Sequence, residues 1–241
     1  MWTNNVRGTR EGLLPLRRRA VKGSLAALTG GLVVVAVGWG GGSLIAHGAG
    51  GDTPTTPACT TNISGPHAGT MTLSTPGTTT CLNGANQNGA ITVANGAALS
   101  VINSTVTGAI TSTSAAPFAF CNSKTVQGAI KVSNSKGLVL IGGGPDGPSC
   151  GVNSVDGAIT VDSNTGGVEV GGNTTSGAIT VTNNVAPTSG TPTEDAATEV
   201  EGNTVGGMLT CTGNTPAPVN DGAANTVKGA RVGQTCASGT F

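Results

Sequence analysis

The phrase Gly-Ala-Ile-Thr-Val occurs at Gly89–Val93, Gly157–Val161 and Gly177–Val181. A phrase that returns at a fixed period constrains the fold of this chain more than any other feature. Near copies start at Gly108 and Gly128, degenerate copies at Gly69 and Gly207, and a weak last copy at Gly229. Successive starts are separated by 20, 19, 20, 29, 20, 30 and 22 residues. A unit this short cannot enclose an apolar face alone, whereas stacked units bury a continuous one. The two longest spacings predict surface insertions at 142–151, which contains Gly-Gly-Gly-Pro-Asp-Gly-Pro, and at 185–196, rich in Pro, Thr and acid. Both have turn chemistry.

Each unit carries a second stretch of alternating residues: Leu99-Ser-Val101, Phe118-Ala-Phe120, Leu138-Val-Leu140, Val168-Glu-Val170 and Thr198-Glu-Val200. Alternation places one side of a strand inside and the other in water. Ile91, Ile110, Ile130, Ile159, Ile179 and Leu209 therefore form an expected inward column. Thr92, Thr111, Lys131, Thr160, Thr180 and Thr210 form the outward one. Asn95, Asn134 and Asn183 follow the first strand, and Asn103, Asn153, Asn173, Asn203 and Asn225 precede the next Gly. Asparagine suits such corners because it tolerates left-handed backbone and its amide can bond to the same residue one coil away. The expected fold is all-β, a parallel β-solenoid of about 7 coils over residues 59–241. A sandwich would also give short strands, but no reason for one phrase at one period. A right-handed helix is favoured, since the hexapeptide rhythm of left-handed coils is absent.

Charge divides the chain. Arg7, Arg10, Arg17, Arg18, Arg19 and Lys22 face only Glu11, while beyond Lys22 there are five cations against ten carboxylates. From Gly23 to Gly51 no charged residue occurs, and Leu25–Val37 is apolar. A basic segment, an apolar segment and then small residues at Ala46–Ala49 follow the order of an export signal. Residues 1–49 are therefore read as a signal helix, either cleaved or retained as a membrane anchor, and 50–58 as a flexible linker. Arg17, Arg18 and Lys22 sit as in a twin-arginine signal, although Leu16 replaces the usual hydroxyl residue. The acidic body argues against nucleic acid as a partner.

Cys59, Cys81, Cys121, Cys150, Cys211 and Cys236 all follow this segment. An even number in an exported chain reads as disulfides. The repeat favours neighbours, giving Cys59–Cys81, Cys121–Cys150 and Cys211–Cys236. A metal site would need close cysteine pairs or nearby histidine, and neither occurs, so neither metal nor cofactor is expected.

The tail Gly202-Asn-Thr-Val-Gly-Gly-Met-Leu-Thr-Cys211-Thr-Gly-Asn-Thr-Pro-Ala-Pro218, with Asn225-Thr-Val-Lys-Gly and Gln234-Thr-Cys236, resembles the closing segment of exported actinobacterial repeat proteins. These are mostly uncharacterised. The resemblance covers about 35 residues; it implies a parallel β-helix outside the cytoplasm and brings no catalytic residues.

Exported β-helices are often polysaccharide lyases or hydrolases, which use clustered acids and a base. Here Arg231 is the one arginine beyond the head, and Asp156, Asp162 and Glu169 lie in a single unit. Glu169 and Glu199 align one unit apart and are read as solvated surface in preference to a glycosidase dyad. Phe118 and Phe120 are read as core, leaving no aromatic sugar platform. His67 is alone in the body, with no nucleophile beside it. A threonine rank that binds ice or another crystal surface needs a two-column array, and only one Thr per unit is evident. The expectation is a monomeric, non-catalytic, secreted or envelope-associated protein that contacts cell-wall glycan or another surface protein. Its membrane contact, if any, lies in the N-terminal segment. A polysaccharide-active enzyme is the first alternative and an ice-binding solenoid the second.

Overall fold

The computed structural model describes residues 58–144, 150–187 and 197–241. The expected signal segment, with Arg17, Arg18 and Lys22, and the linker up to residue 57 lie outside them. So do the central residues of both expected insertions.

The Gly-Ala-Ile-Thr-Val phrases build one parallel sheet, face III. Its strands are β2 (Met71–Leu73), β4 (Ile91–Ala94), β7 (Ile110–Thr113), β10 (Ile130–Ser133), β13 (Ile159–Asp162), β16 (Ile179–Thr182), β19 (Leu209–Thr212) and β21 (Arg231–Val232). Eight strands mean eight coils, so the weak last copy at Gly229 does close a turn. The second stretches build face I: β5 (Ala98–Ile102), β8 (Phe118–Cys121), β11 (Val139–Ile141), β14 (Val168–Gly171) and β17 (Thr198–Glu201).

A third side, face II, has no counterpart in the two-strand reading. It comprises β6 (Thr105–Thr107), β9 (Lys124–Val126), β12 (Asn153–Val155), β15 (Asn173–Thr175), β18 (Thr204–Val205) and β20 (Thr226–Val227). The long strands β1 (Thr61–Ala68) and β3 (Thr79–Asn88) run through faces I and II together. They bend at Gly65 and Gly84, both in the left-handed region. Each coil therefore crosses face I, face II and face III in turn, and every strand pair is parallel.

The core is the narrow space between the three faces. Face III contributes the expected column Ile91, Ile110, Ile130, Ile159, Ile179 and Leu209, each no more than 1% exposed. They pair rung on rung in register. Face I adds Leu99, Phe118, Val139 and Val168, then Val101, Phe120, Ile141, Val170 and Val200. Each such apolar side chain contributes about 1.5–3 kcal/mol when buried. One expected register is off by a residue. Phe118 pairs with Val139, not Leu138, so Leu140 points outward. A shift of one residue exchanges the faces of a strand. Leu140 is nevertheless buried, in a small outer cluster with Ala119, Cys121 and Cys150, against which Leu138 packs.

The Gly that opens each phrase stands against the same Gly one coil away. A Cβ on Gly128 would fall 1.9 Å from the Gly108 carbonyl oxygen, so the close approach of the two backbones excludes any side chain there.

Asparagines divide into two working sets. Asn95, Asn103, Asn122, Asn134 and Asn183 have φ of 46–55°, the left-handed region. Two other series lie buried and form ladders. In one, Asn153, Asn173, Asn203 and Asn225 pass amide hydrogen bonds along at 3.0, 2.9 and 2.8 Å. In the other, Asn164, Asn184, Asn214 and Gln234 do so at 2.8, 2.9 and 3.0 Å. The second amide proton of Asn173 goes to Ile141 O and that of Asn203 to Val170 O, so carbonyls at the corners are satisfied.

Candidate functional site

The six cysteines pair as Cys59–Cys81, Cys121–Cys150 and Cys211–Cys236, the neighbouring pairs that the repeat predicts. No cysteine is free. Three disulfides place the described part in an oxidising environment. They serve different places: Cys81 and Cys121 lie on the outer side of face I, whereas Cys211 and Cys236 are both inside the core at its C-terminal end. There a 3-10 turn, Thr235–Ala237, brings Cys236 under the last coils beside buried Phe241.

Glu169 and Glu199 are side by side in register, as aligned in the sequence, but they are not solvated surface. Glu169 is 1% exposed and Glu199 5%, and Glu201 beside them is fully buried. Residues Gly143 and Gly144 close over this patch. The Gly144 N–H donates to Glu169 Oε1 at 2.9 Å, and a Cβ on Gly144 would overlap the Glu201 carboxylate. Val219, from the tail, pairs with Glu199 from the other side. Burial of the pair follows from chain folding back over the outer surface of face I, a contact that alignment of units does not reveal.

Among the described residues, the remaining acids are dispersed. Asp156 Oδ2 accepts the Gln127 N–H at 3.0 Å. Asp162 accepts from Thr182 Oγ1 at 2.6 Å and from the Asn183 amide at 3.1 Å. These bonds, led by the one from Thr182, hold its carboxyl below the usual carboxylate range, with a lesser contribution from the charge of Lys131. His67 is half-buried at the first coil. Its Nδ1 lies 2.6 Å from Gln87 Oε1, while Gln87 Nε2 donates to Gly69 O, so the ring nitrogen is the donor. Arg231 ties down the tail, donating to the Asn225 and Phe241 carbonyls. Phe118 and Phe120 are core, as expected.

The outer side of face III carries more hydroxyls than one Thr per unit. Beyond Thr92, Thr111, Lys131, Thr160, Thr180 and Thr210, residues two further along each strand form a second column: Ala94, Thr113, Ser133, Asp162, Thr182 and Thr212. This second column is visible in the sequence as Thr-x-Thr but was masked by Ser133 and Asp162.

One groove of about 580 Å³ opens beside the corner between faces I and II. Its floor is buried Ser104, Ser123 and Asn153, whose polar atoms are used inside the fold: Ser123 N–H bonds to Asn153 Oδ1 and Ser104 N–H to Ser123 Oγ. Its rim is the exposed amide pair Asn103 and Asn122, with Asn122 Nδ2 donating to Asn103 Oδ1 at 2.6 Å. Thr105, Lys124, Ser154 and Thr174 form a column, one residue per coil, along the axis. Val152, 67% exposed, stands at the position that glycine or left-handed asparagine holds in neighbouring coils and forms the apolar wall. None of the groove residues was singled out for binding by sequence reasoning; the exposed Val152 beside an insertion was the available signal.

Comparison with known proteins finds no match among family models, curated proteins or solved structures.

Proposed function

We propose that this chain is an exported, non-catalytic module of the cell envelope or its surroundings, which presents polar solenoid faces to cell-wall glycan or to another surface protein. The observation that carries this reading is the outer surface itself. Hydroxyl, amide and lysine side chains stand in columns about 4.8 Å apart along a disulfide-stapled rod, a regular surface suited to a repeating polymer. Export is supported by the basic and apolar order of residues 1–49, by the disulfides and by the resemblance of the tail to exported actinobacterial proteins. The enzyme alternative loses its one aligned acid pair, since Glu169 and Glu199 are enclosed.

Co-sedimentation with purified cell-wall sacculi, alongside incubation with acidic polysaccharides in the presence and absence of calcium, tests the proposal. Retention on the wall without new reducing ends or unsaturated products is expected. Product formation would establish the enzyme reading, and no retention would remove the glycan partner.

A second reading has one observation in its favour, the double hydroxyl column of face III. Thr180 with Thr182 and Thr210 with Thr212 stand on adjacent rungs, and Thr111 with Thr113 repeats the pair further along the same face, the two-column pattern an ice-binding surface requires. Lys131 and Asp162 interrupt it at the centre. Thermal hysteresis in freezing solutions would favour that reading.

A further inference from the structure

The groove at the corner of faces I and II has the chemistry of a specific site, and we infer that it binds a carboxylated saccharide. The inference rests on the proposed role as a glycan-contacting module and names the place and the ligand class.

The chemistry begins with Lys124. It is exposed, lies in the groove, and forms no ion pair with a carboxylate among the described residues. Asp156, two residues beyond Ser154 in the next coil, has its Oδ2 bonded to the Gln127 N–H. In a body with ten carboxylates against five cations, Lys124 is a local positive charge in a concave setting, which suits one carboxylate at a time and not a densely charged polyanion such as nucleic acid. The ammonium is a compact point charge with three donors, which suits a single carboxylate.

The partner must also be rich in hydroxyls. One amide proton of Asn122 is used on Asn103 Oδ1, which leaves Asn122 Oδ1 and both Asn103 amide protons facing solvent. A donor and an acceptor side by side match two adjacent hydroxyls of a sugar ring. Thr105, Ser154 and Thr174 repeat along the axis with the solenoid rise of about 4.8 Å, close to the length of one pyranose unit, so successive sugars meet equivalent groups. Val152 supplies an apolar wall for the face of a ring. The floor is fixed by buried hydrogen bonds and needs no rearrangement to receive a ligand.

The test uses the full chain, titrated with a short β-1,4-linked oligoglucuronate and with the cello-oligosaccharide of equal length, which replaces each carboxylate by CH2OH. Side-chain amide resonances of Asn103 and Asn122 report the site. Both should shift, with the acidic oligomer binding more tightly and in a salt-dependent manner. Lys124→Gln should weaken the acidic oligomer by roughly fivefold and leave the neutral one unchanged. Asn122→Gly keeps the left-handed backbone and should weaken both equally. Far-UV circular dichroism checks that the variants fold. Equal affinity for the two oligomers, or shifts confined to other faces, would overturn the inference. Retention on sacculi that survives both variants would overturn the groove while leaving the wider reading intact. Groove binding without sacculus retention would support the site and contradict the wall as its source.

Discussion

Asn173 donates its side-chain amide to Asn203 Oδ1 at 2.9 Å across 30 residues of chain, and both side chains are buried. The contact is one rung of a ladder that ties the corners of four successive coils together, from Asn153 to Asn225. A solenoid has no contacts between distant coils, so its stability is the sum of such rungs and of the apolar layers between them.

Asn173→Leu should be costly, because in the interior it removes the donor to the Ile141 carbonyl and the acceptor for the Asn153 side-chain amide. The expected loss is about 2–4 kcal/mol, read as a lowered denaturation midpoint. Asn134→Gly, at a left-handed position with φ 55°, should be neutral within about 0.5 kcal/mol. Similar losses at the two sites would contradict the division of asparagines into two sets.

Ser112 occupies the inward place that Val93 and Val132 hold in adjacent coils, and its hydroxyl is buried without a hydrogen-bond partner. Ser112→Val should therefore stabilise the protein by about 1 kcal/mol, seen as a higher melting temperature. A lower melting temperature would show that the core there has no room for the extra methyl groups.

The carboxyl of Asp162 is held below its ordinary range, so its contribution is present above the unfolded pKa of about 3.9 and is lost as pH falls through the folded value. Wild type and Asp162→Asn should differ by a few tenths of a kcal/mol at neutral pH and converge in acid. Denaturant titrations at several pH values read this directly, and a gap that widened in acid would reverse the sign.

The three disulfides should not reduce together. Cys59 is exposed, whereas Cys211 and Cys236 are fully buried. Limited dithiothreitol under native conditions, followed by alkylation and peptide mapping, should label Cys59 and Cys81 first, since exchange requires access to sulfur. Removing Cys211 and Cys236 together should cost about 2–4 kcal/mol. Early labelling of Cys236 would mean that the C-terminal end opens more readily than its packing indicates.

Much of this architecture was legible because face III repeats one phrase with strong alternation, so Ile159 and Thr160 could be assigned to opposite sides. Face II was not. Its strands are two or three residues long, and polar Gln87, Thr125 and Thr175 point inward among Val106, Val155 and Val205, so no alternating pattern marks them. The Asn164 ladder escaped notice for a related reason: its members sit in turns between faces III and I, where asparagine is common for other causes. The groove and the enclosed Glu169–Glu199 pair both depend on where chain beside the first insertion lies, with Val152 rising at one side and Gly144 covering the other. Periodicity locates an insertion but does not say how its chain packs against the coils. The cysteine pairing was legible because each pair joins neighbouring coils.

The most direct test of an exported, oxidised scaffold is fractionation of cells expressing the full chain, with thiol labelling of each fraction. The account predicts protein in the medium or wall fraction with all six cysteines unreactive until denaturation and reduction. Accumulation in the cytoplasm with reactive thiols would contradict it.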